Sequence, residues 1–207
     1  MNAFRATLVV LLVASSAAHA VAPVAVAAPD VRAKPWATET NARVASIGGR
    51  LLAANGPYPC VCSFRFEVVE GAAAFAYSLG DGSIVLSRAM VAAAESDHEL
   101  AAVVAHEIAH VALRHSKRRD DFLLQQARWP SADGAALFKA LLWQIERKAD
   151  ALGVRILANA EYDPMALARS LRTLATPMHP TEARELIARA DLAEAIASAI
   201  RSMGGAF

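Results

Sequence analysis

Hydrophobic and polar positions change period several times along the chain, and each change marks an element. Val44, Ile47, Leu51 and Leu52 recur at helical spacing behind a possible cap at Thr38 or Thr40, and Asn55-Gly56-Pro57 ends that helix. Phe64, Phe66 and Val68 then alternate with Ser63, Arg65 and Glu67, the pattern of a half-buried strand. A second extended segment over residues 74–79 passes through Gly80-Asp81-Gly82 into Ser83-Ile84-Val85-Leu86, so two or three antiparallel strands follow the first helix. After a short helical piece over residues 89–94, Ser96-Asp97-His98-Glu99 forms a capping box that opens a strong helix through Leu100, Val103, Val104, Ile108 and Val111. That helix is expected to reach His115 or beyond. Trp129-Pro130-Ser131 breaks the pattern, and a second long helix covers residues 135–158 with Leu137, Leu141, Ile145, Ala149 and Leu152 near one stripe. Asp163-Pro164 opens a short helix to residue 174, Thr176-Pro177-Met178-His179-Pro180 is a rigid loop, and a last helix runs from Thr181 to about Ser202. The predicted class is α+β, helix-rich with a small antiparallel sheet.

The N-terminal end follows a different logic. Arg5, an apolar run over residues 6–18 and Ala18-His19-Ala20 have the order of a secretory signal peptide, predicted over residues 1–20. Read as a retained anchor instead, the run is interrupted by Ser15 and Ser16 and falls short of the roughly 20 residues that span a bilayer. Residues 21–35, rich in Ala, Val and Pro, read as a flexible leader, leaving residues 36–207 as the folded domain. The expected location is outside the cytoplasm, in the periplasm, with peripheral membrane association left open. Cys60 and Cys62 lack a second cysteine pair with which to build a structural metal site; a strained disulfide, a free pair and burial remain alternatives.

Composition narrows the partners. The 207 residues are 56% hydrophobic and carry 21 Lys+Arg against 20 Asp+Glu, a net charge of +1 that argues against nucleic acid as a partner. The densest basic cluster, Arg114 with Lys117, Arg118 and Arg119, is followed at once by Asp120 and Asp121 and reads as a solvated helical face.

The chemistry lies in His106-Glu107-Ile108-Ala109-His110 on the capped helix. Two histidines four residues apart share a face and can reach one Zn2+, while Glu107 projects beside them towards a water at the metal. A catalytic zinc needs a third protein ligand and an open position. Glu146, in the middle of the second long helix, is the candidate, with Asp150 one turn later on the same face to accept the ring N–H of a ligand histidine. The plainer alternative pairs Glu146 and Asp150 with Arg147, Lys148 or solvent.

Residues 99–116 around that pentad, Glu146-Arg147-Lys148-Ala149-Asp150-Ala151-Leu152-Gly153 and Tyr162-Asp163-Pro164 together resemble the M48 zinc metallopeptidases, the group that includes the HtpX heat-shock protease and periplasmic chaperone-proteases. The resemblance runs from about residue 44 to 189 and implies a zincin-like fold. It implies one Zn2+ per chain on His106, His110 and Glu146, Glu107 as catalytic base, Asp150 behind a ligand histidine, and His179 of His179-Pro180 near the metal as a second catalytic residue. It also implies that Phe75-Ala76 and the segment 80–87 form a cleft wall along which substrate lies extended. Two departures stand out: Ala73-Ala74-Phe75 replaces the family's usual Asn-Ala-Phe, and the repeats and membrane helices of larger relatives have no counterpart in this sequence.

The implied activity is hydrolysis of peptide bonds in unfolded or damaged exported polypeptides. His179 either stabilises the oxyanion or occupies the open coordination position in a resting state. Arg184 orients the site or is a surface arginine, and His98 and His115 pack or pair. The alternative function is a zinc-binding, chaperone-like periplasmic protein that cuts poorly.

Overall fold

A computed structural model describes residues 35–58, 63–176 and 178–204. The expected signal peptide over residues 1–20, nearly all of the expected leader, and Cys60 and Cys62 lie outside the described residues. The elements run α1 (Pro35–Asn55), β1 (Arg65–Val69), β2 (Ala76–Ser78), β3 (Ser83–Ser87), α2 (Arg88–Ala93), α3 (Asp97–Ala112), α4 (His115–Arg128), α5 (Gly134–Asn159), α6 (Ala166–Ala175) and α7 (Pro180–Ser202). This is the helix-rich α+β arrangement that the periodicity predicts.

The sheet has the order β1-β3-β2 and is mixed. β2 and β3 form the expected antiparallel hairpin, with Ala76 opposite Leu86 and Ser78 opposite Ile84, and Gly82 at φ 93° supplies a turn conformation that a side chain would strain. β1 differs from the expectation and pairs parallel with β3, Arg65 opposite Ser83 and Val69 opposite Ser87. The reason is the return path. Residues 70–75 carry the chain across the end of β3 to its far side, and Phe75 is pinned there: its N–H donates to Ser87 Oγ at 2.9 Å and its carbonyl accepts from Ser87 N–H at 2.9 Å. The hairpin therefore inserts β3 between β1 and β2.

α3 is the central helix. Leu100, Ala101, Ala102, Val104, Ala105, Ile108 and Ala109 are fully buried, packed against α1 and α5 and beside the sheet. Its start follows the sequence closely: Ser96 Oγ accepts from Glu99 N–H at 3.2 Å, a cap that stabilises by about 1 kcal/mol, and the Glu99 carboxylate reaches back to Glu95 N–H at 2.9 Å, one residue beyond the expected return bond. Its end does not. Arg114 adopts a left-handed conformation at φ 53°, which turns the chain and starts α4 at His115 instead of prolonging α3. α5 crosses α3 at Gly153, where a Cβ would lie 3.4 Å from the His106 Cα, in van der Waals contact. α6 and α7 pack on each other, and α7 also lies along α5.

Candidate active site

The close crossing at Gly153 brings Glu146 and Asp150 of α5 to the histidine face of α3. His106 Nε2 and His110 Nε2 are 3.0 Å apart, and the Glu146 carboxylate lies 3.4 Å from the first through Oε2 and 3.5 Å from the second through Oε1. Among the described residues these three form the one group of His, Cys, Asp or Glu whose donor atoms could hold a metal ion. Two imidazole nitrogens and a carboxylate whose donor atoms all lie within 4.8 Å of one another are the donor types and spacing that a zinc ion takes. All three side chains are partly shielded, at 14–20% exposure.

Each member of the triangle is held from behind. His106 Nδ1 lies 3.0 Å from Asp150 Oδ1, and Asp150 is wholly buried. Asp150 in turn accepts two hydrogen bonds from Arg189 of α7, from Nε to Oδ2 at 2.6 Å and from Nη2 to Oδ1 at 2.8 Å. The third guanidinium nitrogen, Nη1, lies 3.0 Å from Glu146 Oε2, so one buried arginine braces both carboxylates. His110 Nδ1 faces His115 Nδ1 at 3.2 Å, and His115 is buried at the start of α4 by the turn at Arg114.

The electrostatics follow from burial and these pairings. Burial alone would lower the His106 pKa, but the hydrogen-bonded carboxylates of Asp150 and Glu146 outweigh it and hold it up at about 10. His110 goes down to about 3, through burial and the neighbouring His106 charge, and burial with the Arg118 charge takes His115 down to about 4. Burial would raise Glu146 and Asp150, yet the contacts to His106 and Arg189 keep both below the ordinary carboxylate range. Glu107 moves the other way. Its carboxyl is raised chiefly by burial, partly offset by the His106 charge and by a hydrogen bond with Ser78 of β2. The two kinds of carboxylate are therefore set apart, Glu146 and Asp150 as fixed anions and Glu107 as a group readier to hold a proton.

Of the residues singled out in the sequence, the fold brings together His106, Glu107, His110, Glu146 and Asp150. His179 is exposed in the loop just ahead of α7, its carbonyl accepting from Ala183 N–H at 2.9 Å, and it lies outside the three-residue donor group. Arg184 is exposed on α7. His98 pairs as expected, with Nδ1 accepting from Asp163 N–H at 3.0 Å and its ring edge-on to Tyr162. Sequence reasoning missed Arg189, Ser78 and the contact of His115 with His110. A signal for Arg189 existed: it stands three residues after Leu186 and four before Ala193, on the buried stripe of α7, where a charge needs a buried counter-charge.

A half-buried histidine pair on one helix, a carboxylate from a second and a further glutamate between the histidines define the metal-site architecture of a zincin-type metallopeptidase domain. Residues 38–191 match Peptidase family M48, and the chain belongs to that family. The beta-barrel assembly-enhancing protease of Yersinia pestis is 27% identical over 137 residues, covering 54% of this chain and 28% of that protein. The putative beta-barrel assembly-enhancing protease of Vibrio cholerae is 29% identical over 163 residues, covering 65% of this chain and 33% of that protein. The Escherichia coli K12 protein of the first name is 28% identical over 137 residues, covering 54% and 28%. The match thus spans about a third or less of the length of these relatives. Among the described residues no helix is long and apolar enough to cross a membrane.

Proposed function

We propose that the chain is an exported, periplasmic zinc metalloendopeptidase that hydrolyses peptide bonds of unfolded or damaged exported proteins, with a signal peptide at residues 1–20, a leader at 21–35 and the catalytic domain at 36–207. The observation that carries this reading is the donor triangle of His106, His110 and Glu146 with buried Glu107 beside it. A zinc ion held by the three would supply Lewis-acid polarisation of the scissile carbonyl and acidify the attacking water.

The protein's own residues do the rest. Glu107 accepts the proton of the attacking water on its carboxylate and returns it to the amide nitrogen as the C–N bond breaks; the burial that raises its pKa makes it a stronger base. Asp150 fixes the His106 ring, and Arg189 fixes Asp150 and Glu146, so the donor set is preorganised without costly side-chain ordering. β2 is an edge strand of the sheet and carries Ser78, the partner of Glu107, so an extended polypeptide pairing along that edge would lie next to the base. His179 acts on the oxyanion or closes the site at rest.

The same site on a chaperone-like protein that cuts poorly would have little use for a base buried beside the donor triangle. The test is zinc stoichiometry and casein cleavage by wild type and Glu107→Gln side by side. The glutamine variant should fold, keep its zinc and cleave at least about a hundredfold more slowly; cleavage at the wild-type rate would remove Glu107 as the base, and a wild type with zinc but no cleavage would favour the chaperone reading.

A further inference from the structure

α4 turns a single buried residue inward, and that residue is polar. His115 is 2% exposed, whereas no residue of the rest of the helix, 116–128, is buried. Packing alone does not call for an imidazole there. A leucine would fill similar space and leave no ring nitrogen unsatisfied, whereas Nε2 of His115 is buried with no hydrogen-bond partner among the described residues. What the imidazole supplies is its other nitrogen. Nδ1 of His115 lies 3.2 Å from Nδ1 of His110, with the ring centroids 4.9 Å apart and the ring planes crossing at 81°.

Two ring nitrogens at that distance share one proton, and the ring that owns it decides what His110 can do. A neutral imidazole carries its proton on one nitrogen and a lone pair on the other. Were the shared proton on His115, His110 Nδ1 would be the acceptor and its Nε2 would point an N–H into the donor triangle, with no lone pair left for a metal ion. With the proton on His110, Nδ1–H donates to His115 Nδ1, and His110 Nε2 keeps its lone pair where it stands 3.0 Å from His106 Nε2 and 3.5 Å from Glu146 Oε1. His115 then carries its own proton on Nε2. The second arrangement is the one that coordination requires. Removing the acceptor would leave His110 with a buried, unpaired N–H in the form that binds metal.

We infer that His115 is a positioning residue: its Nδ1 accepts the Nδ1–H of His110 and holds that ring in the tautomer and orientation that offer Nε2 to a zinc ion. The inference rests on the zinc reading of the donor triangle and adds to it a residue from a different helix.

The experiment is zinc competition with a chromogenic chelator, at one fixed pH, for the full chain as wild type, His115→Asn, His115→Gln and His115→Leu. Asparagine sets its amide oxygen where Nδ1 of histidine sits, glutamine sets it nearer the position of Nε2, and leucine fills the space with no acceptor. His115→Asn should stay within about threefold of wild type, and the glutamine and leucine variants should bind zinc about tenfold or more weakly. In isotope-labelled, zinc-loaded wild type, NMR should show scalar coupling between the two Nδ1 nuclei across the hydrogen bond, with the shared proton attached to His110. His115→Leu at wild-type affinity, or a shared proton attached to His115, would overturn the inference. So would His115→Asn losing as much affinity as His115→Leu, which would reduce the residue to packing. Should the leucine and glutamine variants fail to fold by circular dichroism, the affinity of His115→Asn and the coupling in wild type still decide the matter. Wild type that takes up no zinc would overturn the zinc reading and this inference together, whereas zinc-binding wild type matched by His115→Leu overturns this inference alone.

Discussion

Arg189→Met is the substitution whose cost the structure fixes best. The guanidinium is 4% exposed, donates twice to a fully buried Asp150 and sits 3.0 Å from Glu146. Without it, Asp150 must either stay ionised without its main partner or take up a proton. At pH 7 that proton costs about 4 kcal/mol, three pH units above an ordinary aspartate pKa at about 1.4 kcal/mol each. The general cost of breaking a buried pair from one side is about 3–5 kcal/mol. His106, 3.0 Å from the same carboxylate and inclined to hold a proton, offsets part of the loss, so about 3 kcal/mol is expected, with a fall in Tm on the order of 10 °C. Urea unfolding of the chelator-treated protein, followed by far-UV circular dichroism, measures this without any metal contribution. Asp150→Asn/Arg189→Met should be more stable than the sum of the single losses by at least about 1.5 kcal/mol, because the double variant leaves no unpaired charge. A loss below about 1 kcal/mol in Arg189→Met, or strict additivity in the double variant, would show that the brace is not what holds α7 to α5.

Glu146→Ala should lose most bound zinc on elemental analysis, whereas His179→Ala should retain it and change only the rate of casein cleavage; zinc loss of the same size in both would move the third ligand elsewhere. Ser78→Ala removes a hydrogen bond that lowers the Glu107 pKa, so the acid limb of the pH–rate profile should move to higher pH; an unmoved limb would separate Ser78 from the base. In the metal-free protein His106, raised to about 10, binds more protons folded than unfolded above about pH 6.5, so its contribution to stability is lost as pH rises towards 10. His110 and His115, lowered to about 3 and 4, contribute stability that is lost as pH falls below about 6.5, and the depressed Asp150 and Glu146 deepen that loss below about pH 4. The urea midpoint should therefore peak near pH 6.5; a profile flat from pH 6.5 to 10 would refute the His106 assignment.

What could be read in advance was whatever depends on one element at a time. The cap at Ser96 and the spacing of His106 and His110 are local, and a 3.6-residue period carries both histidines to one face without help from the rest of the fold. Glu146 and Asp150 were likewise legible as one face of α5. The parallel pairing of β1 was not, because alternation along a strand tells which side is buried and not which strand lies next to it. Nor was the end of α3. An arginine in a left-handed conformation costs about 1–2 kcal/mol, and neither glycine nor proline marks the break, so the pattern reads straight through to His115.

That break matters to the site. Had α3 continued unbroken, His115, five residues after His110, would point some 140° round the helix from it, away from the ring it now meets at 3.2 Å. The turn at Arg114 brings His115 back under His110, just as the crossing at Gly153 brings Asp150 behind His106. Each histidine of the triangle thus presents Nε2 to its centre while its Nδ1 is met from outside, one by a carboxylate that Arg189 anchors and the other by a neutral imidazole. The two rings are consequently unequal: a proton favours His106, and His110 stays neutral and available. A metal ion entering the triangle has to displace only the His106 proton, so its apparent affinity should fall about tenfold per pH unit below the His106 pKa, with His110 adding nothing until far more acidic conditions. Zinc competition with a chromogenic chelator between pH 6 and 9 reads that slope directly. A slope near two would mean that both histidines hold protons in the metal-free protein and that the asymmetry imposed by Asp150 and His115 is not what governs the site.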